Sequence, residues 1–239
     1  MNTSEVFLYE LASTLERVGG AKGLGLLAVL AALTVILPWR FGAGLLDPLL
    51  LLVYAALAPL LAGNFAAQAF AAEKARAHII HDGDPAVALA LGKVLAATLW
   101  GFVCWVILMA VPFTALNAAR RTLLLPPVLD LLALALFAAA LAWVVSALGS
   151  IFASGVATPS SAQGLVRGMV LIPLLLFAAA LSVLPQALRA PLADSIGPGH
   201  LPITLGLASL ALIAIGWPAV RKTAARIEEL RHPLSILES

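Results

Sequence analysis

Ionisable side chains are scarce in this sequence. Charged residues make up 11% of its 239 positions and hydrophobic ones 62%, against about 25% and roughly 45–50% in an ordinary soluble domain. A water-soluble core–surface partition is thereby excluded. Cysteine is nearly absent as well: Cys104 stands alone, so no intrachain disulfide can form. Polar stretches long enough to hold a core of their own are missing, since the N-terminal 22 residues and the last 20 or so are too short. The nucleotide-binding loop is missing too. Gly92-Lys93 is followed by Val94 rather than Ser or Thr, and Val87 stands where the first Gly of such a loop belongs. No expected span carries a buried acid–base relay of the kind a proton-coupled transporter uses.

What remains is long apolar runs. About 20 helical residues cross the roughly 30 Å hydrocarbon core of a bilayer, and six runs qualify: about Leu24–Pro38, Pro48–Ala72, Pro85–Leu116, Leu124–Ile151, Leu165–Leu184 and Leu201–Trp217. The first is short and borrows flanking residues or sits in thinned bilayer. Glu5, Glu10 and Glu16 precede it and no small-residue cleavage site follows at Pro38-Trp39-Arg40, so it reads as a retained span rather than a signal peptide. The sequence therefore predicts an all-α integral membrane protein of six transmembrane helices. It divides into an interfacial amphipathic helix (1–22), a six-span domain (23–219) and a cytoplasmic tail (220–239).

Basic residues set the orientation, because Lys and Arg stay on the cytoplasmic side. Arg17, Lys22, Lys74, Arg76, Lys93, Arg167 and the Arg221-to-Arg231 cluster share one side; Arg40, Arg120, Arg121 and Arg189 fall on the other. Both termini are predicted to be cytoplasmic. The pI near 9.0 follows from this asymmetry and calls for no nucleic-acid partner.

The few polar positions inside or beside the runs admit two readings each. At the N-terminus Ser4 can cap a helix with Phe7, Leu8, Leu11, Leu15 and Val18 on one face and Glu10, Ser13, Thr14 and Arg17 opposite. It lies either on the membrane surface or with its apolar face against the bundle. Asn64 and Gln68, one turn apart below Pro59, either line a pathway together with Tyr54 or join helices. Ser146, Ser150 and Ser154 form a helix-packing stripe or a wet one. Asp130 is a membrane-buried acid or, if Pro126-Pro127 marks the helix start, a first-turn residue favoured by the helix dipole. His78 and His81 with Asp82 and Asp84 read as a solvated joint, because a tight metal site wants three or four ligands. The histidines lie at membrane edges, away from Ser154-Gly155, which argues against an intramembrane serine protease.

The joint between the second and third runs is the most polar internal segment: Glu73-Lys74, the apolar pair Ile79-Ile80, Pro85, then Gly92-Lys93. In this order it resembles the cytoplasmic joint of type-2 ATP-binding-cassette (ABC) transporter permeases. The six-span layout, the N-terminal interfacial helix and a polar outer loop, here Gln186 to His200, extend the likeness along nearly the whole chain. The Gly-Thr that commonly follows the charged pair in that family is replaced here by the segment from His78 to Asp84. The resemblance implies a permease subunit of an exporter in the bacterial inner membrane, without catalytic residues or cofactor of its own. ATP would bind a separate cytoplasmic ATPase docked at the coupling segment 73–85 through Glu73, Lys74, Arg76, Ile79, Ile80 and Pro85. It further implies a second permease copy or a related permease as partner, with Lys93 snorkelling to the interface. The alternatives are a haem-exporter-type permease of cytochrome c maturation, which shares the layout, and a non-transporting membrane scaffold. The charge-poor second and fifth spans point to an amphipathic or lipid-like cargo, since they have little with which to offset the desolvation of an ion.

Single-cysteine probes at Asp82 and Ala193 are expected to react with impermeant thiol reagents from opposite sides of the membrane. Labelling of both from one side would contradict the six-span topology.

Overall fold

The computed structural model describes residues 2–18, 62–70, 85–121, 125–155 and 199–231, with single residues and short pieces between them. Four long helices account for most of this: α1 (Thr3–Val18), α2 (Ala86–Arg120), α3 (Val128–Gly155) and α4 (Leu201–Arg231). Residues 62–70 add a further helical segment. Three helical stretches, Ala86–Ala119, Val128–Gly155 and Leu201–Glu229, are long and apolar enough to cross a membrane. They coincide with the expected third, fourth and sixth spans. The expected first, second and fifth runs lie largely outside the described residues, apart from 62–70 and scattered positions.

The helix limits follow from local chemistry. Pro85 occupies the N-cap of α2, where its missing N–H costs no intrahelical bond, and its carbonyl accepts the N–H groups of Ala88 and Leu89 at 2.9 and 3.1 Å. At the other end Arg121 adopts the left-handed conformation (φ 54°, ψ 32°) and returns its N–H to the Asn117 carbonyl. Pro126-Pro127 precedes Val128, so Asp130 is an acid in the first turn of α3, as the dipole reading of the sequence expects. With 35 and 31 residues, α2 and α4 are about 52 and 46 Å long at 1.5 Å per residue, more than the hydrocarbon core requires. Beyond Trp217, the exposed side of α4 changes from Ile203, Leu207, Leu210 and Ile215 to Arg221, Lys222, Glu228 and Glu229. The Arg221 guanidinium lies 5.6 Å from the Trp217 ring centre, an aromatic–cation pair suited to a membrane–water boundary.

Two buried clusters fix the packing. One joins Cys104, Trp105, Leu108, Met109 and Phe113 of α2 to Ala133, Leu134 and Ala138 of α3 and Leu201 and Leu205 of α4. The other joins Ala86, Ala90 and Val94 of α2 to Val145, Ala147 and Ala153 of α3 and Ala219, Val220, Ala224 and Ile227 of α4. The start of α2 thus meets the ends of α3 and α4. α2 is antiparallel to both, and α3 and α4 run parallel. Bonds between α3 and α4 repeat this register: Trp143 Nε1–H donates to the Ile213 carbonyl (3.3 Å), Ser150 and Thr223 hydroxyls pair at 2.9 Å, and Arg226 Nη1 reaches Ser154 Oγ at 3.4 Å.

Close contact in this bundle is made by small residues. A Cβ on Gly149 would stand 2.9 Å from the Gly63 carbonyl oxygen, and one on Gly101 would meet the Ala62 Cβ at 2.5 Å. These are the separations at which backbones of neighbouring helices touch, the usual packing device where lipid is as apolar as leucine. The serine stripe belongs to the same device. Ser146 and Ser150 are fully buried, and the Ser150 hydroxyl also donates to the Ala147 carbonyl.

Gly149→Leu is expected to separate α3 from the 62–70 segment and to destabilise the fold by about 1–3 kcal/mol, the usual range for overpacking. Thermal unfolding in detergent measures it, with Gly206→Leu as the comparison, since a Cβ at Gly206 meets nothing within 4 Å.

Candidate functional site

The polar groups of the described bundle converge at the end where α2 begins. There α1 crosses α2, and Gly92 makes the crossing possible: a Cβ at that position would lie 2.8 Å from the Val6 Cβ and 3.0 Å from the Thr3 carbonyl oxygen. The start of α1 is closed by Asn2 rather than by Ser4. Asn2 Oδ1 accepts the Glu5 N–H (2.9 Å) and the Ser4 hydroxyl (2.6 Å), while Glu5 Oε2 accepts the Asn2 N–H (3.0 Å). This is a reciprocal capping box set two residues earlier than a Ser4 cap would place it.

One step along α2 from Gly92, Lys93 turns inward. Its ammonium forms an ion pair with Glu10 Oε1, and the two side chains are only 2% and 6% exposed. It also stands 5.7 Å from the ring centre of Phe70, at the end of the 62–70 segment. A third tie comes from Trp100, whose Nε1–H donates to the Leu11 carbonyl at 3.0 Å. Lys93 does not snorkel. The interface lies within reach of its stem, but a buried carboxylate and an aromatic face replace water around the charge.

α1 turns part of its polar stripe toward the bundle and leaves Ser4 and Glu5 exposed. Val6, Glu10 and Thr14 are buried against the bundle, while Leu8 and Tyr9 are exposed. The expectation that its apolar face would pack on the bundle does not hold at Leu8. In a membrane the outer medium is the apolar one, so the polar stripe gains by facing the one site that offers Lys93 and backbone carbonyls. Glu10 Oε2 has no hydrogen-bond partner among the described residues.

Of the residues that the sequence singles out, Pro85 is exposed at the mouth of α2, and Asn64 is buried (5% exposed) with its Oδ1 unpartnered among the described residues. Gln68, one turn on, is half-buried. Tyr54, Glu73, Lys74, Arg76, Ile79 and Ile80 lie outside the described residues, as do His78, His81 and Pro59. Among the described residues, no group of three or more His, Cys, Asp or Glu is placed to hold a metal ion. The Glu10–Lys93 pair was the feature that residue patterns did not single out. Its signals were a lone cation inside a long apolar run, a glycine beside it, and a lone acid on the polar stripe of a helix expected at the same membrane face.

Removing one partner of a buried ion pair strands the other charge, at a cost of about 3–5 kcal/mol, whereas replacing both by apolar residues of similar volume is often nearly neutral. Lys93→Met is therefore expected to lower thermal stability sharply. The double variant Glu10→Leu, Lys93→Met should recover most of the loss, which unfolding in detergent would record.

No protein-family model matches the chain, and no curated protein matches it in sequence, so its functional reading rests on the residues themselves.

Proposed function

We propose that this chain is the membrane-spanning permease subunit of an ATP-binding-cassette exporter, driven by a separate cytoplasmic ATPase that docks on the coupling segment 73–85. The observation that carries the reading is the mounting of that segment. Phe70 precedes it in the chain and α2 begins after it at Ala86; Lys93 of α2 lies over the Phe70 ring and pairs with Glu10 of α1. A force applied to a protruding joint moves a membrane domain only if the joint's two roots are held together. The Lys93–Phe70 contact joins these roots, and the ion pair and the Trp100 bond brace the second against α1.

In this reading Glu73, Lys74 and Arg76 anchor the rim of the joint, Ile79 and Ile80 enter a groove on the ATPase, and Pro85 starts the return helix. The parallel run of α3 and α4 supports an odd number of crossings between them, in keeping with the fifth span expected over Leu165–Leu184. The start of α2 packs beside the charged end of α4, and in this reading the ATPase docks on that side, which is the cytoplasmic side of a bacterial inner membrane. A second permease copy or a related permease completes the pathway.

The cargo follows from what the spans offer. Between Val94 and Ala119, Leu131 and Gly155, and Leu201 and Val220, the helices contain no Asp, Glu, Lys or Arg. Buried amides and hydroxyls such as Asn64 can orient a polar head, but nothing there compensates for the desolvation of an ion. An amphipathic or lipid-like molecule fits this lining.

Replacing Ile79 and Ile80 together by Asp is expected to abolish substrate-stimulated ATP hydrolysis by the purified complex while leaving membrane insertion and α2 packing intact. Unchanged stimulation would remove the lever assignment. Failure of any ATPase to copurify with the intact chain would favour a scaffold.

A further inference from the structure

A groove of about 810 Å³ opens beside the α1–α2 crossing, lined by Asn2, Thr3, Ser4 and Phe7 of α1, Leu95, Thr98, Leu99 and Phe102 of α2, and Ala139 of α3. That size lies within the roughly 300–1,000 Å³ of sites that take small molecules. Its polarity is graded. The Thr3 carbonyl sits against Gly92, so the three polar residues of α1 mark the end of the groove nearest the start of α2. From there Leu95, Leu99 and Phe102 climb α2 for about 10 Å at 1.5 Å per residue, into the stretch that faces hydrocarbon. The one polar side chain on that wall, Thr98, is already satisfied, its hydroxyl donating to the Val94 carbonyl at 2.7 Å. At the lip Asn2 Oδ1 is likewise taken up by the cap of α1.

We propose that this groove is a binding site for a phospholipid of the leaflet in which α1 lies, with one acyl chain along Leu95, Leu99 and Phe102 and the glycerol-ester region at Asn2 and Ser4. Three features select a lipid over other occupants. The walls belong to a segment of mean hydropathy 2.4, so the surrounding medium is hydrocarbon and the groove cannot fill with water at low cost. The polar residues stand at one end only, matching a molecule with one wet end. The axis of the groove runs with α2, across the membrane, the direction in which acyl chains lie. Neither a second copy of a charge-poor helix nor a soluble peptide offers that gradient. The assignment invokes no ATPase and no transport, so it stands or falls separately from the permease reading.

The test uses the full-length protein in native membranes, loaded with a phosphatidylethanolamine carrying a diazirine midway along one acyl chain. Cross-links are expected to concentrate on residues 95–102 and on Ala139. Leu99→Trp, which fills the groove, should lose most of them and most of the phospholipid retained through detergent purification. Leu210→Trp, on the exposed face of α4, should change neither. If Leu99→Trp does not accumulate, Ala139→Leu narrows the groove from the α3 side and is read in the same way. Even labelling of all outward faces, Ile203 and Leu207 included, would overturn the proposal, as would retention of lipid in the filled variant. Efficient chain-to-chain cross-linking through a cysteine at Thr98 would assign the groove to a second copy instead.

Discussion

Helices surrounded by hydrocarbon gain nothing by hiding leucine from it, so their cohesion has to come from contacts closer than lipid can make. That constraint organises the described bundle. Gly63 against Gly149 and Ala62 against Gly101 bring backbones to separations that a single added methyl would forbid. Once the backbones are that close, short hydroxyls can reach across, and Ser150 with Thr223 does so. The large side chains then distribute themselves by what is left. Leu108, Leu134 and Val220 fill the interior, while Ile203, Leu207 and Leu210 face outward without penalty.

The same logic turns part of the first helix's polar stripe inward. A soluble amphipathic helix hides its leucines and shows its glutamates. Here Leu8 is outward and Glu10 inward, where the carboxylate meets the Lys93 ammonium. A pair of this kind contributes little net stability compared with two apolar residues, but it fixes which face of α1 meets which turn of α2. Register is what a joint between moving parts requires, and the pair sits two turns from Pro85, where the polar joint ends.

The sequence disclosed the elements well and their relations poorly. Long charge-poor runs made the third, fourth and sixth spans plain, and Pro126-Pro127 ahead of Asp130 located a helix start correctly, since both signals are local. The helix of α4 continues past Trp217 into the charged stretch to Arg231, where hydropathy falls while helical geometry goes on. The sequence reading named Ser4 as the cap, whereas Asn2 fills that place, with Glu5 three residues on closing the box. The Glu10–Lys93 pair lies 83 residues apart in the chain, and no periodicity links such partners. Asn64 was singled out by its chemistry, but its burial is a tertiary property that no local pattern encodes.

That separation of 83 residues also orders the birth of the molecule. α1 leaves the ribosome before anything it can bind has been made. At synthesis rates of about 5–20 residues per second, some 4–17 seconds pass before Lys93 follows Glu10 out. Through that interval the carboxylate has to stay hydrated at the membrane surface, and the helix can rest there on Leu8 and Tyr9 alone. α1 can thus be fastened only once the start of α2 has followed it.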